Sequence, residues 1–299
     1  MAPALLAVFG FVAAQTELPR REREVPYVRN GNSDQVLDIS YPKKPGFPTV
    51  IFIHGGSLRR GDTRKSDHYA GVCEPFLKAD IGCANIDYRL APDFRWPAMP
   101  RDVTSAVRWV KDNIGSRGGD PSRIFLFGHS SGCHLAATLG TNQKYLREAG
   151  LETADIAGVI AMGCTLAPLK RHLQRAAQAG ASMDDLAARW AERSDETRTY
   201  ESFQDRLDSD PSRHVGQHTP PTLIVIAEGE RFHPPILEQG AFFVDLMYDA
   251  KRPADIVIVP GSHYSSIIDI TQPDDPTFSA ILSFIANPSA AGLGSRGWR

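Results

Sequence analysis

The chain has 299 residues, 42% hydrophobic and 23% charged, enough for one large α/β domain or a domain with an inserted cap. Its formal net charge of -2 gives no reason to expect a nucleic acid or an anionic membrane as partner. The H-E-x-x-H, P-loop and G-x-G-x-x-G patterns are absent from the sequence, so neither a metal nor a nucleotide cofactor has support in it.

Residues 4–14 are apolar and end in small residues before Gln15. They have the form of a secretory h-region with Val12 and Ala14 at the small-residue positions, without a basic n-region and too short to cross a bilayer. Residues 1–24 are therefore expected to be a signal or a flexible N-terminus, and a secreted or periplasmic protein is favoured over a cytoplasmic one. No later stretch is apolar enough to be transmembrane. The basic clusters Arg20-Arg21-x-Arg23 and Arg59-Arg60 are short and mixed with acids, which reads as solvated surface.

From residue 36 the pattern becomes regular. Val36-Leu37-Asp38-Ile39-Ser40-Tyr41 alternates as a half-wet antiparallel strand does. Residues 50–53 and 84–88 read as buried strands, with weak helical spacing over 69–77 between them. Val103, Ala106, Val107, Val110 and Ile114 line one helix face, closed by Gly115. A turn at 117–121 leads into a strand over 124–127, and further strands are expected at 156–162, 223–226 and 256–259. Phe243, Leu246 and Met247 mark a helix between the last two. Phe278, Ile281, Leu282 and Ile285 mark a closing helix, with Asp275 as N-cap and Pro276 at its first position. Strands alternating with helices predict a mostly parallel sheet covered on both faces. The domain is expected over 25–286. The Ala-, Arg- and acid-rich stretch between Met162 and Thr222 is helical in composition and breaks the alternation, which favours a helical cap over 165–218, with helices that merely cover the sheet as the alternative. The Gly- and Ser-rich tail, 287–299, is expected to be disordered.

The most informative stretch is Ile124-Phe125-Leu126-Phe127-Gly128-His129-Ser130-Ser131-Gly132-Cys133. A strand running through G-x-S-x-G into an Ala- and Leu-rich helix is the setting that makes this motif meaningful. The corner strains the serine backbone, and the small residues on either side give the chain room to bend. It also places the Ser131 N–H at a helix start, where negative charge is favoured.

A serine hydroxyl needs a base, a group that orients the base, and donors for the oxyanion. Among the nine histidines, His263 follows the last predicted strand, in Pro260-Gly261-Ser262-His263-Tyr264. His129 and His134 share the serine's own corner and helix and read as packing or surface residues. His172, His214 and His218 fall in or beside the predicted cap. Glu228 and Glu230, just past the strand at 223–226, both qualify as the orienting carboxylate. Gly56, Ser57 and Ser131 are the expected oxyanion donors, and His54 reads as a loop brace. The four cysteines, Cys73, Cys83, Cys133 and Cys164, show no metal-ligand spacing. Cys133 and Cys164 read as buried thiols, while Cys73 and Cys83 are able to pair in an oxidising compartment.

The motifs His54-Gly55-Gly56, Asp87-Tyr88-Arg89-Leu90-Ala91-Pro92, Trp96-Pro97-Ala98 with Asp102 and Arg108-Trp109-Val110, and Asp120-Pro121-Ser122-Arg123-Ile124 before the serine corner resemble the hormone-sensitive-lipase-like esterases of the α/β-hydrolase fold. The resemblance spans roughly residues 36 to 286. It implies a cofactor-free carboxylic ester hydrolase that works through an acyl-enzyme, with Ser130, His263 and an acid. In that pattern the acid lies four positions after the last hydrophobe of the seventh strand, which selects Glu230 over Glu228. Three positions depart from the pattern: His129 replaces a common Asp, Ser57 a third Gly, and Glu230 the usual Asp. The Gly-His-Ser-Ser-Gly corner and the His-Tyr-Ser-Ser-Ile run also resemble kynurenine-formamidase-like and feruloyl-esterase-like relatives. The expected substrate is a small ester with a short, medium or aryl acyl group. An arylformamidase is the alternative within the same chemistry, and a catalytically silent ligand-binding protein the alternative outside it.

Overall fold

The computed structural model describes residues 20–63, 66, 68–230 and 236–291. The signal-like segment at 4–14 and the end of the tail, 292–299, lie outside the described residues. The strands are β1 (Arg20–Pro26), β2 (Val36–Tyr41), β3 (Phe47–Ile53), β4 (Gly82–Ile86), β5 (Gly119–His129), β6 (Gly158–Met162), β7 (Thr222–Ala227) and β8 (Ala254–Val259). They form one sheet in the order β1-β2-β4-β3-β5-β6-β7-β8. The pairings β1–β2 and β2–β4 are antiparallel, and all pairings from β4 to β8 are parallel.

Helices fill the connections: α1 (Glu74–Lys78), α2 (Ala98–Asn113), α3 (Ser131–Thr141), α4 (Gln143–Glu148), α5 (Lys170–Gln178), α6 (Met183–Ala191), α7 (Ser194–Thr197), α8 (Phe203–Asp208), α9 (Ile236–Asp249), α10 (Ser265–Ile268) and α11 (Pro276–Ala286). Successive strand residues point to opposite faces of a sheet, and the apolar runs therefore feed two cores. Ile51, Ile53, Leu126, Val159 and Ile224 face α2, α3 and α9. Val50, Phe52, Phe127, Ile160 and Val225 face α1 and α11. Asp275 caps α11 by accepting the Phe278 N–H at 2.8 Å, with Pro276 in the first turn. No described helix is long and apolar enough to cross a membrane.

Several expectations are revised. Residues 20–24 belong to the sheet, not to a flexible leader. Arg20-Arg21-Glu22-Arg23-Glu24 is exposed on an edge strand, so it carries no apolar alternation to reveal it. The helical spacing over 69–77 shrinks to α1. Tyr69 and Val72 reach the core from turns, and Pro75 marks the helix start. Within the tail, residues 288–290 form a single 3-10 turn after α11.

The buried-thiol expectation for Cys133 and Cys164 is overturned. They form a disulfide, as do Cys73 and Cys83. Cys133 sits on α3 and Cys164 just beyond β6, and the packing of α3 on that strand brings their Cα atoms to 5.9 Å despite 31 residues of separation. Replacing Cys133 and Cys164 together by alanine is expected to lower stability by about 2–4 kcal/mol. Urea unfolding under non-reducing conditions checks this against the parent.

Candidate active site

The parallel register brings the carboxyl ends of β3, β5, β6, β7 and β8 to one edge: Ile53 pairs with Gly128, His129 with Met162, and Ala227 with Val259. Ser130 bridges β5 and α3 at φ 55°, ψ -124°, a backbone conformation that a residue with a side chain holds only under constraint. Its N–H donates to the Met162 carbonyl at 2.9 Å. A Cβ on Gly128 would lie 2.1 Å from the Gly132 oxygen, and one on Gly132 would lie 2.0 Å from the Ile53 oxygen. The corner closes because neither residue has a side chain.

His263 stands in the loop after β8. Its Nδ1 is hydrogen-bonded to Glu230 Oε1. Glu230 is buried, and its Oε2 accepts the Ala227 N–H at 3.3 Å. The two loops are tied together by the Gly229 N–H, which donates to the Gly261 carbonyl at 2.9 Å. Glu228, two residues away in the same 3-10 turn, is exposed. The structure thus brings Glu230 and His263 together and leaves Glu228 in solvent.

Ser130, His263, Glu230, Ser57 and Ser131 all line one cavity of about 750 Å³. Gly56 precedes Ser57 in the loop after β3, with left-handed φ values of 127° and 59° in succession. The Gly56 carbonyl accepts the Arg59 and Arg60 N–H groups, both at 3.2 Å, which curls the loop over the serine corner. The Ser131 hydroxyl accepts the Leu58 N–H at 3.3 Å. His54 braces this loop as expected: it is fully buried, lies against Tyr88 with ring centroids 4.3 Å apart, and meets the Gly55 carbonyl through Nδ1 at 2.7 Å.

The opposite wall comes from the helical segment between β6 and β7. Tyr200 and Arg206 face the cavity, Arg206 pairing with Glu196 at 2.8 Å and lying over the Tyr200 ring. Arg59 is exposed, as read from sequence, and it also reaches Thr199 Oγ1 at 3.1 Å and the Asp195 backbone carbonyl at 2.7 Å. His134 also lines the cavity. Burial, and then the charge of Arg206, pull its pKa to about 3, so it is a neutral wall at working pH. Arg59 carries no local sequence signal, because its partners lie on another segment.

A family model matches residues 37–235. The chain belongs to the BD-FAE family. Esterase LipC of Mycobacterium tuberculosis (strain H37Rv) is 29% identical over 264 residues, 84% of this chain and 62% of LipC. Esterase LipQ of the same strain is 44% identical over 153 residues, 48% of this chain and 34% of LipQ. Carboxylesterase NlhH of M. tuberculosis is 34% identical over 125 residues, 41% of this chain and 38% of NlhH. The chain therefore spans less than two thirds of each of these relatives. Among solved structures, a truncated carbohydrate esterase from gut microbiota superposes with a TM-score of 0.68 at 21% identity, covering 93% of this chain and 99% of the other. A hyperthermophilic esterase from the archaeon Pyrobaculum calidifontis gives 0.62 at 22% identity, covering 85% and 80%. The fold is the α/β-hydrolase fold.

Within this family setting, the serine corner makes a direct structural demand. Gly132→Ala drives a methyl into the Ile53 carbonyl, so it is expected to cost at least about 2 kcal/mol through overpacking. Urea unfolding of the variant beside the parent measures it.

Proposed function

We propose that this protein is a serine hydrolase that cleaves carboxylic esters of short, medium or aryl acyl groups through an acyl-enzyme. The observation that carries the reading is the buried Glu230 joined to His263, on a cavity shared with Ser130 at its strained corner. Family membership and the esterases among the relatives support the same reaction class.

In this reading His263 takes the Ser130 proton as the hydroxyl oxygen attacks the ester carbonyl. Glu230 holds the Nδ1–H of His263, fixing the tautomer and stabilising the imidazolium that forms. The backbone N–H groups of Gly56, Ser57 and Ser131 receive the oxyanion. The proton passes from His263 to the leaving alkoxide, and the acyl group stays on Ser130. Water then attacks the acyl carbon as His263 removes its proton; the acyl–oxygen bond to Ser130 breaks, the Ser130 oxygen takes that proton back from His263, and the acid leaves. Residues 165–218 serve as a cap whose inner wall, with Tyr200 and Arg206, meets the part of the substrate away from the reacting carbonyl. Export is proposed as well, supported by the two disulfides, which persist in oxidising compartments.

Steady-state hydrolysis of p-nitrophenyl butyrate and of N-formylkynurenine tests the reading. Ser130→Ala is expected to lose at least about 1,000-fold in kcat, and Glu230→Gln about 100-fold or more. Glu228→Gln, on the surface, is expected to stay within about twofold of the parent. Loss in Glu228→Gln with retention in Glu230→Gln would reassign the acid. Faster turnover of the formamide than of the ester would make the protein an arylformamidase, and a parent that a fluorophosphonate fails to label and that turns over neither substrate would make it a silent binder.

A further inference from the structure

We propose that His129, the residue before the nucleophile, is a positioning residue that fastens the loop carrying His263 to the loop carrying the oxyanion donors. This rests on the reading of Ser130, His263 and the N–H groups after Gly55 as the reacting machinery.

The hydrogen bonds form one continuous chain. His129 Nε2 lies 2.8 Å from the backbone carbonyl of His263, and Nδ1 lies 2.9 Å from the Tyr69 hydroxyl. The Tyr69 oxygen is in turn 3.2 Å from the Gly55 N–H. Partner chemistry fixes every proton. A carbonyl only accepts, so Nε2 carries the imidazole proton and Nδ1 is left as acceptor. Tyr69 then donates to Nδ1, and its oxygen accepts from Gly55. His129 is fully buried and Tyr69 nearly so, which makes each link costly to leave unmade.

The chain joins the end of β5 to the segments that follow β3 and β8, adding side-chain links to the alignment the sheet register already provides. It acts on two points that the chemistry needs. The backbone of His263 is held through its carbonyl, also approached by Ser266 Oγ at 3.3 Å, while Glu230 holds the ring. Gly55 is held at its N–H, immediately before Gly56 and Ser57. An Asp at 129, usual in the resembling esterases, would have only acceptors when ionised and could not hold a carbonyl. The imidazole both donates and accepts, which accounts for this chain's departure at that position.

The groups facing His129 keep it in this state. Burial, and then the neighbouring His263 ring, pull its pKa to about 4, with the Glu230 charge opposing and His68 adding a smaller downward push. Burial pushes the Tyr69 phenol up to about 12, so it remains a donor. Tyr264 completes the ring cluster, 6.0 Å from His129 by centroids.

Three substitutions separate the links. In His129→Gln the side-chain amide N–H reaches the place of Nε2 and keeps the hold on His263; in His129→Asn the amide oxygen takes the place of Nδ1 and keeps only Tyr69. Tyr69→Phe keeps the ring and cuts the chain at its middle. With p-nitrophenyl acetate, and with turnover counted per folded molecule from near-UV circular dichroism, His129→Asn is expected to lose about 10- to 100-fold in kcat with KM within about threefold. His129→Gln is expected to recover most of that loss, and Tyr69→Phe to lose at least about fivefold in the parent but nothing further on top of His129→Ala. Equal turnover of His129→Asn and parent, a loss confined to KM, or additive losses for Tyr69 and His129 would overturn the proposal. Where a His129 variant does not fold, Tyr69→Phe decides: parental kcat overturns the proposal. Ser130→Ala runs alongside. If it stays active, the reading of the whole site fails; if it is inert while the His129 and Tyr69 variants match the parent, only the positioning role fails.

Discussion

The molecule is organised around a backbone constraint at Ser130. A serine in that left-handed conformation costs on the order of 1–3 kcal/mol, and it persists because its surroundings leave no alternative. β5 is locked in parallel register between β3 and β6, its last residue pairs with Met162, and the next N–H donates back to the Met162 carbonyl. α3 then packs against the sheet so closely that Gly128, Gly132 and the Ile53 carbonyl meet without room for a methyl. Gly55 shares this crowding: a Cβ there would stand 2.8 Å from that of Ser130. The loop after β3 can lie over the serine because Gly55, its second residue, has no side chain.

Around that corner, loose ends are tied by bonds of different kinds. The loops of Glu230 and His263 meet through backbone and side chain alike. The Cys133–Cys164 disulfide joins α3, the helix after Ser130, to the cavity wall, where Cys164 lies. Arg59 reaches from the loop after β3 to α7, holding the helical segment over the cavity by a backbone carbonyl and a hydroxyl. Its partly exposed pairing with the Asp195 carboxylate adds little, since such pairs contribute about 0–1 kcal/mol. The same segment is anchored from below, where the Thr199 carbonyl accepts the N–H of the fully buried Trp96 at 2.7 Å.

What was legible in the sequence was what is local or periodic. The parallel strands β3, β5, β6 and β7 read as short apolar runs because both faces of each are buried. The serine corner read cleanly because the glycines and the serine that it needs lie within five consecutive residues, 128–132, although the Ile53 carbonyl and Gly55 that crowd it come from another segment. β1 was hidden by its exposure, since a strand wet on both faces has no hydrophobic period. The choice between Glu228 and Glu230 needed family likeness, because two carboxylates in one 3-10 turn differ only in which of them folds inward. The Cys133–Cys164 bond, the reach of Arg59 and the double contact of His129 are all juxtapositions across the sheet edge, and composition and spacing carry no trace of them. Sequence leaves His129 as packing or surface; it is buried and packs, and its two hydrogen bonds add the connection that packing alone would lack.

Ester cleavage by the proposed route requires Ser130 to form a covalent bond during turnover. Peptide mass mapping after reaction with a fluorophosphonate measures this directly. The account predicts a single phosphonyl adduct on Ser130, lost when the protein is unfolded before labelling. An adduct confined to another residue, such as the neighbouring Ser131, or an unlabelled protein that still hydrolyses esters, would contradict it.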